Sequence, residues 1–117
     1  MPGPLCRFCA DLGSPRVIAI DGAILLDISV TEIAARFDEP RATMFRHKRH
    51  VTELRRRQSP YALDVLEWAR GVQSLRDKYP DIPIIDLFYH AGVCMADEQQ
   101  ASKGGRQSKR AAKRARD

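Results

Sequence analysis

The chain reads as an all-α fold, a small helical bundle, on three observations. Serine-proline pairs at Ser14-Pro15 and Ser59-Pro60 mark helix starts, because serine can cap free backbone amides and proline is preshaped for a first turn. Ser29-Val-Thr-Glu32 has the spacing of a capping box, in which the serine and the glutamate each satisfy one free amide. Downstream of these starts apolar residues recur at helical spacing, as in Leu63, Leu66, Val72, Leu75 and Tyr79.

The elements follow in order. Val17, Ile18, Ile20, Ile24, Leu25 and Leu26 predict a largely buried first helix that starts at Ser14-Pro15 and ends near Asp27. In the second, from Ser29, Ile33, Ala34 and Phe37 face the core. Asp38-Glu39-Pro40 breaks it, since the residue before a proline disfavours helical dihedrals, and Pro40 can itself open the next helix. That third helix runs from Arg41 to Val51 or Leu54. A helix of about eight residues, a break of about three and a basic helix have the spacing of a helix-turn-helix. Ala34 is small where the two helices cross, Ile33 and Met44 point inward, and Asp38 tolerates the left-handed conformation the turn needs.

The second half is plainer. A helix from Ser59-Pro60, widened by Val65 and Trp68, should end at Tyr79-Pro80. Pro83 then opens a shorter one carrying Ile84, Ile85, Leu87, Phe88, Val93 and Met95. A two-helix hairpin cannot bury that many apolar groups alone, so it either folds back on the first three helices or pairs with another copy. From Ala101 onward Gly, Ser, Gln, Lys and Arg dominate, a composition that predicts a disordered basic tail.

At 117 residues and 44% hydrophobic content the core is sufficient but not generous, so a structural metal would be useful. No apolar run approaches the roughly 20 residues of a membrane span, and Met1-Pro-Gly-Pro lacks the features of a signal peptide. A cytoplasmic protein without a membrane partner is expected. The net charge of +5 is focused: residues 101–117 hold seven Lys or Arg against Asp117, and Arg41 to Arg57 hold seven against Glu53. Two positive patches on an otherwise acidic chain point to a polyanion.

Cys6-Arg-Phe-Cys9 and His47-Lys-Arg-His50 supply two thiols and two imidazoles, the ligand set of a tetrahedral zinc site. Four protein ligands leave no open position for water, so the predicted Zn2+ is structural. Two alternatives stand beside it. His90-x-x-x-Cys94 also has ligand spacing and could complete Cys6 and Cys9, and the cysteines could instead form a redox pair, although no strand precedes them as in a thioredoxin-like unit. No catalytic constellation is recognisable, and neither an enzyme nor a small-molecule substrate is expected.

If Met44 and His47 face inward, Arg41, Ala42, Phe45, Arg46 and Arg49 lie on the outer side of the third helix, nearest to base edges of a duplex. Lys48 and the Arg55-Arg56-Arg57 run are placed on phosphates. The N-terminal Cys-x-x-Cys, the segment Thr31-Glu-Ile-Ala-Ala-Arg-Phe37 and the ending Phe45-Arg-His-Lys-Arg-His50 together resemble the short zinc-associated helix-turn-helix DNA-binding proteins of phages and mobile elements. The resemblance covers about residues 6–51 and departs from the pattern at Asp38, where glycine is usual, and at Leu12-Gly-Ser-Pro15. It implies a zinc-stapled DNA-binding module over residues 1–54, while the apolar helices mark 55–98 as an oligomerisation or protein-interaction region and composition marks 99–117 as a disordered basic tail. The function it implies is a site-specific adaptor or regulator on double-stranded DNA, in a host cell's cytoplasm if viral. The alternative is a subunit of a larger DNA-processing machine, such as a small terminase subunit or an accessory subunit of a recombination or nuclease complex.

Overall fold

A helix α1 runs through the centre of the molecule, and the other four helices cover it. The computed structural model describes residues 6–103, which form helices α1 (Pro15–Leu25), α2 (Val30–Arg36), α3 (Arg41–Arg56), α4 (Pro60–Ser74) and α5 (Ile84–Lys103), with 3-10 turns at Cys9–Asp11 and Leu75–Asp77. Strands are absent among the described residues, and the bundle is all-α as its periodicity predicts. No described helix is long and apolar enough to cross a membrane.

The helix starts divide in how they are made. Ser14 caps α1 with its side chain, accepting from the Val17 amide at 3.3 Å. Neither Ser29 nor Ser59 makes a side-chain cap hydrogen bond, so the capping box does not form and α4 starts on Pro60 without a serine cap. Burial of Val30, Ile33 and Ala34 holds α2 instead, in keeping with packing outweighing local signals in short helices. Pro40 is the residue before α3 rather than its first, and α3 continues beyond Leu54 to Arg56.

Three helices end in the same way. Asp27, Asp38 and Gln58 have φ of 62°, 56° and 57°, the left-handed conformation that lets the following amide reach back five residues. Ile28 donates to Ala23, Glu39 to Ala34 and Ser59 to Leu54, at 3.1, 2.9 and 2.9 Å. Asp38 thus occupies the position that the spacing of the second and third helices requires.

The C-terminal hairpin folds back on the first three helices. Core residues run continuously from Cys6 and Phe8 through Ile20, Ile33, Met44 and Val51 to Ala69 and Phe88. A boundary at residue 54 falls inside α3, and residues 99–103, grouped with the tail by composition, continue α5. That helix is therefore the longest of the five rather than a short one. Residues 104–117, which carry most of the predicted tail, lie outside the described residues. Leu63, Tyr79 and Val93 are exposed, not core, since they fall on the outward faces of α4 and α5 or beyond the end of α4.

Two glycines set the close crossings of α1. A Cβ on Gly92 would lie 2.8 Å from the Ala19 Cβ, and one on Gly22 would lie 3.0 Å from ring atoms of Phe88 and Trp68. By contrast nothing lies within 4 Å of the corresponding position at Gly71. Gly92→Ala should therefore destabilise the fold by roughly 1–3 kcal/mol through overpacking. Gly71→Ala should stabilise it by about 0.5–1 kcal/mol through helix propensity. Urea unfolding of both variants checks the pair, and equal effects would refute the crossing geometry.

Candidate metal centre

The chain before α1 folds over the inner face of α3. Cys6 and Cys9 lie on a turn in which the Ala10 amide donates to the Cys6 carbonyl and the Cys9 amide donates to the Cys6 Sγ, at 3.1 and 3.3 Å. Phe8 is buried between them and packs its ring against that of His47, with centroids 5.1 Å apart. His47 and His50, one turn apart on α3, face this turn. A further clasp fixes the loop. Arg7 and Arg16 both pair with Glu39, in the turn between α2 and α3, at 3.1 and 2.6 Å.

Cys6, Cys9, His47 and His50 form one cluster whose ligand atoms all lie within 4.8 Å of one another and could hold a metal ion. His47 Nδ1 is 3.3 Å from the Cys6 Sγ and 3.5 Å from the Cys9 Sγ, and His50 Nδ1 is 3.2 Å from the Cys9 Sγ. A tetrahedral site with metal–sulfur bonds of about 2.3 Å and metal–nitrogen bonds of about 2.0 Å has sulfur–nitrogen edges of about 3.5 Å. The donor set and its dimensions fit. Cys6 and His47 are buried and Cys9 and His50 half-buried, so the centre is closed on its protein side.

His90 and Cys94 are not part of it. Both are exposed on α5, and no other candidate metal cluster occurs among the described residues. Their four-residue spacing follows the outward face of a helix and does not reach the N-terminal turn.

The four donors differ in their protonation chemistry. Burial raises both thiols, but at Cys6 the Cys9 amide and thiol and the His47 ring outweigh it and hold the group below its ordinary value. Cys9, buried and hydrogen-bonded to the Cys6 sulfur, is pushed up to about 12. Burial disfavours charge on His47, yet Asp21 more than compensates and raises it. His50 is lowered by burial and by His47, Arg49 and Arg46, which keeps its nitrogen free to ligate at neutral pH. Since ligation needs both thiolates, metal loading at pH 7 should release at least one proton, that of Cys9, and affinity should fall as pH drops. Calorimetric titration in buffers of different ionisation enthalpy measures this, and zero proton release would refute it.

Two residues that sequence reasoning missed complete the surroundings. Asp21 of α1 is fully buried, takes a 2.5 Å hydrogen bond from His47 Nε2 on one oxygen and accepts from the Tyr61 hydroxyl of α4 at 2.6 Å on the other. Burial and this carboxylate push the Tyr61 phenol up, so it stays a donor. An acid within the apolar run of α1 was the available signal.

The opposite face of α3 carries the predicted polyanion contacts. At roughly 100° per residue, Arg41, Ala42, Phe45 and Arg49 fall on the side away from His47, with Arg46 at its edge. All five are exposed, Phe45 by 52%, whereas Lys48 is half-buried. The Arg55 to Arg57 run is exposed but partly engaged. Arg56 and Arg57 share Glu53 at 2.6 and 2.9 Å, and Arg55 reaches the Leu25 carbonyl at 3.4 Å.

Fold and site together define a small all-helical protein with a Cys2His2 cluster suited to a metal ion. No protein-family model, no curated protein and no solved structure matches the chain.

Proposed function

We propose that the chain is a helix-turn-helix protein that binds double-stranded DNA at a specific site and is held together by a structural zinc ion. The observation that carries this reading is the two-sidedness of α3. Its inner face supplies His47 and His50 to a closed sulfur–nitrogen centre, while its outer face leaves Arg41, Ala42, Phe45, Arg46 and Arg49 exposed. A two-thiolate, two-imidazole set of these dimensions suits Zn2+, which when bound supplies only cross-linking, because all four positions are taken by protein.

The chain's own residues would do the binding. Arginines at the start and middle of α3 can read guanine edges and phosphates, and Phe45 with Ala42 offers apolar contact to thymine methyl groups. Glu39, Arg7 and Arg16 hold the turn between α2 and α3, and so the angle at which α3 is presented. A regulator or adaptor of a phage or mobile element is the setting that the family resemblance suggests.

Selection from a random duplex library, followed by anisotropy titration of the enriched and the random DNA across a range of salt, tests the reading. A preference of about 1,000-fold or more is expected for a specific binder. Equal affinity for both duplexes, or none, would refute it.

The second reading, a subunit of a larger DNA-processing machine, is favoured by a groove along α4 lined by Asp64, Glu67, Trp68, Gly71, Val72 and Leu75. Packing within the chain does not require glycine at position 71. Its partner would be another protein. A monomer or dimer in solution that binds its site unaided favours the regulator, and a ring or an obligate hetero-complex favours the machine.

A further inference from the structure

We propose that Asp21 is the positioning residue of the metal centre, and that Tyr61 makes α4 part of that centre. The inference rests on the metal-binding reading of Cys6, Cys9, His47 and His50 and goes beyond it by naming the groups that set its affinity.

Asp21 is 0% exposed within a helix whose buried neighbours are Val17, Ala19, Ile20, Gly22, Ala23, Ile24 and Leu25. A carboxylate there is costly to bury, and an apolar residue of similar size would serve packing at least as well. No arginine or lysine pairs with it among the described residues. Its partners are instead the one histidine that is wholly buried in the cluster and a tyrosine from the far half of the chain. Stability of the core alone therefore does not account for it.

Orientation of His47 does. An imidazole can present either nitrogen to a metal. The hydrogen bond from Nε2 to the Asp21 Oδ1 at 2.5 Å commits the proton to that nitrogen and leaves the Nδ1 lone pair facing the two sulfurs at 3.3 and 3.5 Å. The negative carboxylate also strengthens the ring as a donor, as in carboxylate–histidine–metal triads generally. Tyr61 holds Asp21 Oδ2 at 2.6 Å, which stops the carboxylate from turning away. One carboxylate thus joins α1, α3 and α4, and a change on α4 is felt at the metal.

The test uses the full chain carrying Asp21→Asn or Tyr61→Phe, with Tyr79→Phe, an exposed tyrosine, as the control. Zn2+ affinity is measured by competition with a chromophoric chelator, and the His47 ring is followed by 15N NMR in the metal-loaded protein. Asp21→Asn should weaken Zn2+ binding by about 10–100-fold and shift the downfield Nε2 proton signal of His47 upfield, since a neutral amide oxygen accepts more weakly than a carboxylate, without moving that of His50. Tyr61→Phe should weaken it by about 5-fold, the loss of one hydrogen bond. Tyr79→Phe should change nothing. Wild-type affinity and an unmoved His47 signal in both variants would overturn the assignment. Should Asp21→Asn not fold, Tyr61→Phe decides alone, since it leaves the histidine–carboxylate pair in place. Failure of wild-type protein to bind Zn2+ is a different result and removes the underlying reading.

Discussion

Cys9→Ser is expected to release the metal and lower the melting temperature by about 20 °C. The figure follows from linkage: free metal at about 1,000 times its dissociation constant stabilises the folded state by about 4 kcal/mol, and each kcal/mol shifts the midpoint of a domain of this size by about 4–8 °C. The loss should be local at first. Cys6, Phe8 and His47 are buried against one another, whereas α1, α4 and α5 also pack on one another around Gly22, Phe88, Trp68 and Ala69, and α1 and α4 meet the cluster through Asp21 and Tyr61. Detachment of the turn around Cys6 to Asp11, with exposure of Phe8, should therefore precede global unfolding. His47→Ala should behave like Cys9→Ser, and a His90→Ala/Cys94→Ala double variant should keep the metal. Elemental analysis with thermal melts reads all three, and a Cys9→Ser protein with one zinc per chain and an unchanged midpoint would falsify the assignment.

Arg46→Ala is expected to weaken binding to a selected duplex by about 1–3 kcal/mol, roughly 5- to 150-fold, and to relax preference at one base position. Removing residues 104–117, which hold Arg106, Lys109, Arg110, Lys113, Arg114 and Arg116, should act otherwise. Affinity for selected and random DNA should fall by the same factor, and the dependence of log affinity on log salt should flatten by about 0.9 for each phosphate that the tail no longer neutralises. Arg56 and Arg57 are already paired with Glu53, so alanine at either should have the smaller effect of the exposed positions. Equal losses on both duplexes for Arg46→Ala would mean that α3 touches phosphates only.

Local chemistry explains the part of this molecule that was legible along the chain. Ser14-Pro15 and Ser59-Pro60 open α1 and α4, Asp38 takes the left-handed turn, and Met44 and His47 face inward one turn apart, because each depends on neighbours within about one helical turn. Cys6, Cys9, His47 and His50 belong to the same class, since two short motifs of fixed spacing each place a pair of donors side by side, and the fold brings the two pairs together. Ser29 shows the limit of such reasoning: its box has the right residues, but burial of Val30 and Ile33 already holds the helix and the side chain goes unused.

Long-range packing decided the rest. Nothing near Asp21 or Tyr61 in sequence pairs them, for the hydrogen bonds span 26 and 40 residues. Composition could not tell a hairpin that covers α1 from one that waits for another copy, because both bury the same apolar groups; the close approach of Gly22 to Phe88 and Trp68, and of Gly92 to Ala19, resolves it. His90 and Cys94 have ligand spacing and lie on the outward face of α5, where spacing is no guide to what stands opposite. Residue types and intervals specify which groups can meet within a turn of helix, and only the packing of α1 against α3, α4 and α5 specifies which of them do.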